Sequence, residues 1–195
     1  ELTPRPSGAV LEIDGKDVGR EILRSAPPFE RVAEVSSLPE PVEVQAEGTT
    51  AIEAESGAIW PPFRIEADAA ASGGRYVVAG GGRGGLNGLG MIRIPLTVRR
   101  AGDYYLWGRV IAPDGKSDSF FVRVRQGQGD VVPRGDWHTG RGGQWRWSPV
   151  ELRGREHPRR MSLPEGRVVL EFLGRESGTR LDRVVISPDP DAAPV

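Results

Sequence analysis

Ile92-Arg93-Ile94-Pro95-Leu96-Thr97-Val98-Arg99, followed across the Ala101-Gly102 turn by Tyr104-Tyr105-Leu106-Trp107-Gly108-Arg109-Val110-Ile111, decides the fold class. In the first run four apolar residues alternate with Arg93, Pro95, Thr97 and Arg99. That is the period of a strand with one face in a core and the other in water. Working outward, Pro113-Asp114-Gly115 is a turn in which proline presets φ and glycine supplies the positive φ. Phe120, Val122 and Val124 form the next inward set. Further strands fit Gln144–Leu152, Arg167–Leu173 and Leu181–Ser187. Strands at this spacing predict an all-β sandwich of about eight to ten strands with essentially no helix.

Composition agrees. Glycine (27) and proline (17) make up 44 of 195 residues, and 37% of the chain is hydrophobic, which reads as turns between short strands. There are no cysteines, so disulfide scaffolds, thiol nucleophiles and zinc fingers are excluded. Only Lys16 and Lys116 are lysines, leaving 24 arginines, yet 27 acids bring the net charge to −1. A nucleic-acid binder is expected to carry a net basic domain or stripe, so no nucleic-acid partner is expected. No run of 18 apolar residues offers a membrane span. Residues 1–50 hold five basic and ten acidic residues, a net of −5, and residues 51–195 are therefore +4. We divide the chain into an N-terminal linker or edge extension (1–46), a sandwich (47–188) and a C-terminal tail (189–195). Within the first part a short strand fits Ala9–Ile13, ended by Asp14-Gly15, a helical turn fits Val18–Leu23, and Pro27–Pro41 reads as extended linker. The N-terminus does not read as a signal peptide. A tether at each end is expected of a module within a longer protein.

Two carboxylate placements stand out. Alternation in Ala51-Ile52-Glu53-Ala54-Glu55 puts Glu53 and Glu55 on one face. In the last strand Asp182 shares parity with Val184 and Ile186, which look like core. An inward carboxylate is expensive unless paired or bound to a cation. Either Asp182 pairs with an arginine, or Glu53, Glu55 and Asp182 converge on a hard cation such as calcium.

The succession Ile52-Glu53-Ala54-Glu55-Ser56-Gly57, Ala71-Ser72-Gly73-Gly74-Arg75-Tyr76-Val77, Ile94-Pro95-Leu96-Thr97-Val98, Ala101-Gly102-Asp103-Tyr104-Tyr105-Leu106, Leu163-Pro164-Glu165-Gly166 and Leu181-Asp182-Arg183-Val184-Val185-Ile186 resembles carbohydrate-binding modules of families 6 and 35. It covers roughly residues 50–188. The resemblance implies a jelly-roll-like antiparallel β-sandwich related to the galactose-binding domain, here with an extended N-terminal segment, and no catalytic activity of its own. It also implies a structural calcium on Glu53, Glu55 and Asp182, with the Arg75 carbonyl a further ligand. Such an ion would join the first and last strands of a chain without disulfides.

A sugar presents apolar C–H faces edged by hydroxyls, so its site needs an exposed aromatic with planar polar groups beside it. The resemblance places this cleft in the loops at one end of the sandwich. Trp137, in an apparent loop (Arg134-Gly135-Asp136-Trp137-His138-Thr139-Gly140), is the first choice, followed by Tyr76 and Trp60. Trp145 and Trp147 share a face and read as packing, as do Tyr105 and Trp107. The asparagine that the family often has before the last strand is replaced by Gly178-Thr179-Arg180. The one asparagine, Asn87, lies in the glycine-rich loop, and Arg175, Glu176 and Arg180 supply polar groups. Arginine pairs bidentately with carboxylates, which points toward an unusual or acidic glycan. Asp114, Lys116 and Asp118 read as a solvated hairpin tip.

Gly80-Gly81-Gly82-Arg83-Gly84-Gly85 contains G-x-G-x-x-G, but a strand and not a helix follows, so it reads as a surface loop rimming the cleft. His138 and His157 are too far apart for a local metal motif, and no G-x-S-x-G elbow is present. The expected protein is a non-catalytic, secreted, periplasmic or cell-surface module. It would bind a polysaccharide or oligosaccharide beside neighbouring domains of a longer chain. The rival is a structural or protein-interaction sandwich that has lost the sugar site.

Overall fold

A computed structural model describes residues 12–13, 16–17, 38–80, 84–157 and 159–194. The chain divides into two compact units, Glu1–Ser36 and Ser37–Val195. In the first, β1 (Glu12–Ile13) pairs with β2 (Lys16–Asp17), Ile13 opposite Lys16, on either side of the Asp14-Gly15 dipeptide. The helical turn expected at Val18–Leu23, and the linker as far as residue 37, lie outside the described residues.

The second unit is a sandwich of two sheets. One has the order β11-β10-β14-β8-β3, from β11 (Gly129–His138), β10 (Ser119–Gln126), β14 (Gly166–Gly174), β8 (Met91–Val98) and β3 (Val42–Val44). β5 (Ala58–Trp60) continues the outer edge of β8 beside β3. The other has the order β12-β9-β15-β7-β6, from β12 (Gly142–Pro149), β9 (Gly102–Ala112), β15 (Arg180–Ser187), β7 (Arg75–Val78) and β6 (Arg64–Ala67). Here β4 (Thr50–Glu53) adds to β15 and β13 (Met161–Leu163) to β9. Among the described residues every strand pairing is antiparallel except β3 with β8. Because Val42–Val44 joins the sheet, the unit begins at Ser37 and not at the 46/47 boundary expected from the sequence. Among the described residues no helix is long and apolar enough to cross a membrane.

The alternating runs do what their period requires. Ile92, Ile94, Leu96 and Val98 enter the core from β8, Phe120, Val122 and Val124 from β10, and Leu181, Val184 and Ile186 from β15. More strands form than the expected eight to ten, because β3, β5, β6 and β13 are too short to show a period. β11 escapes for a different reason. Val122 pairs with Gly135 but Val124 with Val132, so Pro133-Arg134 opposes one residue and the alternation breaks there.

That bulge corrects the reading of Trp137. It is on β11, not in a loop, and is 0% exposed. Its ring stacks on Phe120 (centroids 5.7 Å) and meets Phe172 (6.0 Å), and its Nε1–H is donated to the Pro149 carbonyl at 2.8 Å. Gly108 on β9 makes the space, since a Cβ there would lie 2.4 Å from the indole. A ring with no free face cannot be a sugar platform. Trp137→Ala is expected to destabilise the fold by about 3–5 kcal/mol, the usual range for losing a large core aromatic. Urea unfolding checks this, and an unchanged midpoint would contradict the core placement.

Candidate functional site

Asp182 is the extra residue of a β-bulge. Leu181 pairs with Val110 and Arg183 with the adjacent Arg109, so Asp182 has no opposite number on β9. The parity shared with Val184 and Ile186 is thus broken, yet the carboxylate is 0% exposed. It accepts from the Ser72 N–H (3.0 and 3.2 Å) and is ion-paired with Arg109. Glu53 ends β4, where its Oε1 accepts from Ser72 Oγ (2.8 Å) and lies 3.2 Å from Arg183 Nε. Glu55 is not on a strand. It sits in a 3₁₀ turn (Ala54–Ser56) closed by Ser56 Oγ donating to the Glu53 carbonyl at 2.7 Å.

These acids share one neighbourhood. Burial pushes the Glu55 carboxyl above the usual range, and the charges of Glu53 and Asp182 push the same way. Burial likewise raises Asp182, against the pull of Arg109 and the Ser72 amide. Glu53 Oε2 and Glu55 Oε2 are buried without a hydrogen-bond partner, an arrangement that fits a hard cation. Among the described residues no three acidic or imidazole side chains are placed to hold an ion by themselves. Main-chain carbonyls such as that of Arg75, which begins β7, would have to complete a shell.

The described parts of the β7–β8 connection (79–80 and 84–90) gather with 113–118, 139–141 and 175–179 at one end of the sandwich, where β7, β9, β11 and β14 finish and β8, β10, β12 and β15 begin. The glycine-rich loop returns along β14 because Gly174 has no side chain. A Cβ there would lie 2.2 Å from the Leu89 carbonyl. Leu86 N–H donates to the Arg175 carbonyl (2.8 Å) and Ser177 N–H to that of Gly84 (3.0 Å). Between these loops and the outer face of the first sheet lies a cleft of about 470 Å³, lined by Gly84, Gly85, Asn87, Lys116, Phe121, Asp136, Arg175 and Glu176.

Phe121 and Asp136 alternate with core residues on paired strands and so face outward. Arg134 and Arg175 stand over the Phe121 ring at 4.6 and 6.0 Å. Arg175 joins the wall through Asp136 (3.2 Å), Glu176 (3.1 Å) and Ser119 Oγ (2.7 Å). Burial opposes ionisation of Glu176, but donations from Ser119 Oγ (2.6 Å) and the Asp118 N–H (3.0 Å) hold its carboxyl below the usual range. Burial and the adjacent Glu176 raise Asp118, which has His138 at 3.6 Å.

Three sequence-predicted residues, Asn87, Arg175 and Glu176, therefore meet in the cleft. Lys116, read as part of a solvated tip, joins them. Tyr76 and Arg180 form a separate cluster on the outer face of the second sheet. Tyr76 is 4% exposed, edge-on to Trp145 (5.3 Å) and capped by Arg180 (5.5 Å), and its hydroxyl is donated to Glu66 at 2.6 Å. Trp145, read as packing, does pack on the Ala71, Tyr76 and Val78 cluster, but it is half-buried and donates its Nε1–H to Asp68 at 3.0 Å. Trp60 lies beyond β8, at the opposite edge of its sheet from β11, with Arg93 5.6 Å over its ring. Phe121 was missed; a large outward aromatic between Phe120 and Val122, followed by Arg123 and Arg125, was its one signal.

No family model matches the sequence, and no curated protein matches it. Solved structures do. A Podospora anserina β-(1,4)-mannanase carrying a family 35 carbohydrate-binding module aligns over 76% of this chain and 29% of its own (TM-score 0.57, 15% identity). A family 35 module from Clostridium thermocellum aligns over 71% of this chain and 97% of its own (TM-score 0.50, 20% identity). The C-terminal family 6 module of a laminarinase from Zobellia galactanivorans aligns over 72% and 99% (TM-score 0.50, 15% identity). The chain thus spans about 30% of the first matched enzymes, 29% and 30% in two cases, and nearly all of the isolated modules. It has the β-sandwich fold of the family 35 and family 6 carbohydrate-binding modules.

Proposed function

We propose that this protein is a non-catalytic carbohydrate-binding module whose loop end engages a polysaccharide. The observation that carries this reading is the cleft in which an aromatic side chain, Phe121, is ringed by Asn87, Lys116, Asp136, Arg175 and Glu176. Trp145 adds a second aromatic group on the other sheet at the same end. Lys116, Arg134 and Arg175 are balanced by Asp118, Asp136 and Glu176, which supports a neutral glycan over the acidic one that the arginines alone point to. The module would hold an exported or cell-surface neighbour domain close to its substrate and raise its effective concentration there. A structural or protein-interaction role is the second reading. It is favoured by the wall groups already bonding one another, as Arg175 does with Asp136 and Glu176.

Affinity gels containing β-1,4-mannan, β-1,3-galactan, laminarin or polygalacturonate test this. Retardation by a neutral gel is expected, weakened about tenfold by Arg175→Met or Asn87→Ala, the equivalent of one or two hydrogen bonds. Retardation by polygalacturonate alone would reverse the charge argument. No retardation on any gel would favour the second reading.

We also infer a structural calcium held by Glu53 and Glu55, with Asp182 and main-chain oxygens such as that of Arg75. When bound, it would supply positive charge to buried carboxylate oxygens that no protein donor reaches. The sign of the pH dependence follows from the raised Glu55. Its stabilising contribution is complete below the ordinary glutamate range and disappears as pH rises through its folded value. In chelator the melting temperature should therefore fall as pH rises from about 4 toward neutrality. Glu55→Gln should flatten that fall, and calcium should reverse it in the parent protein only. Identical melting in calcium and chelator at neutral pH would sink the ion.

A further inference from the structure

Arg109 makes contacts in three directions. It is ion-paired with buried Asp182, its Nη2–H is donated to the Ala70 carbonyl (3.1 Å), and its guanidinium lies 5.6 Å from the Trp145 ring centroid. Trp145 donates in turn to Asp68. Asp68 opens a turn in which its Oδ1 accepts from the Ala70 N–H (2.9 Å) and its carbonyl from the Ala71 N–H (3.0 Å). That turn ends at Ser72, whose N–H returns to Asp182 and whose Oγ–H reaches Glu53. The contacts close into a ring: Asp182, Arg109, Trp145, Asp68, the turn, and Asp182 again.

The backbone does not orient Trp145 by itself. On β12, Gly142 pairs with Ala112 and Arg146 with Val110, so Gly143, Gln144 and Trp145 fall in a register shift outside the regular ladder. The direction of the indole is therefore left to side-chain contacts. Besides apolar packing on the Ala71, Tyr76 and Val78 cluster, these are Arg109 over the ring, the T-shaped contact with Tyr76 and Asp68 on the nitrogen. Of the three, Arg109 alone also touches the buried carboxylate that anchors the ring of contacts.

We propose that Arg109 is a positioning residue that fixes the indole of Trp145 against the buried Asp182, and so ties the aromatic surface at the loop end to the acid cluster beneath it. This rests on the glycan-binding reading for its functional meaning, but the geometry can be tested without any glycan. Arginine is needed because a planar guanidinium can bond Asp182 and Ala70 along its edge while its face covers the indole. A lysine ammonium keeps the charge and loses the face.

The test uses Arg109→Lys and Arg109→Gln in the full chain, with the indole N–H resonances of Trp145 and Trp137 followed by NMR and Trp145 assigned through Trp145→Phe. Both variants should shift the Trp145 resonance and speed its solvent exchange about tenfold, while the Trp137 resonance, bonded to Pro149, stays in place. Arg109→Lys should recover most of the melting temperature lost in Arg109→Gln, because Asp182 is again paired, without recovering the Trp145 resonance. A merely structural arginine would recover both together. An undisplaced Trp145 indole in Arg109→Lys overturns the positioning role whatever the affinity gels show. A displaced indole in a protein that no gel retards upholds that role, and the glycan reading is then the one that fails.

Discussion

The carboxylate of Asp182 is the constraint around which one whole side of the sandwich is arranged. A bulge removes it from the β9 ladder, and the surrounding strands bury it completely. An ion in that position is tolerated only if its oxygens are satisfied, and losing the partner of a buried pair typically costs about 3–5 kcal/mol. The satisfaction comes from distant parts of the chain: the Ser72 amide, 110 residues away, and Arg109, 73 residues away. Each donor is then held by something else. Ser72 is held by Glu53 and by its turn, Arg109 by Ala70 and Trp145. The turn between β6 and β7, the end of β4 and the start of β12 are thus placed by one buried charge.

The other organising device is the absence of a side chain where two layers come closest. Gly108 lets the Trp137 indole lie against β9, and Gly174 lets the glycine-rich loop lie along β14. The first makes the largest aromatic cluster in the core, with Phe120 and Phe172 around Trp137. The second forms one wall of the cleft, bringing Asn87 opposite Phe121 and Arg175. Core and cleft occupy opposite faces of β10, with Phe120 inward and Phe121 outward.

The strands most readable from the sequence were those with unbroken alternation, β8 and β10, because a period of two is all that burial on one face demands. β11 was unreadable because two residues oppose one at Pro133-Arg134, so Trp137 looked like a loop residue and a ligand contact. The acid cluster was found by alternation although the elements differ: Glu55 is in a 3₁₀ turn and Asp182 in a bulge. Alternation could mark Asp182 as buried, but it could not choose between an arginine and an ion. The fold supplies the arginine, Arg109, and leaves two glutamate oxygens nearby without donors. Asn87, Arg175 and Glu176 were legible as polar loop residues. That Phe121 and Lys116 join them depends on which loops share an end of the sandwich, a property of topology that no local pattern carries.

Several of the arginines acquire a physical role in the described residues. On the outer face of the first sheet Glu171 is buried between Arg93 and Arg123, its neighbours in register on β8 and β10. Five aromatics off the main core are similarly covered: Trp60 by Arg93, Tyr76 by Arg180, Trp107 by Arg159, Phe121 by Arg134 and Arg175, and Trp145 by Arg109. Guanidinium groups shield apolar ring faces from water while keeping their own edges solvated, which lysine does poorly. Both guanidinium groups over Phe121 would stand between that ring and any ligand in the cleft. At a surface site a cation over a ring contributes only about 0.5–1 kcal/mol, so the contact of Arg134 with Phe121 is a weak one. Arg175 is bonded to Asp136, Glu176 and Ser119 and stays in the wall. The Phe121 ring thus carries two guanidinium groups, one bonded into the cleft wall and one held over it by the ring contact.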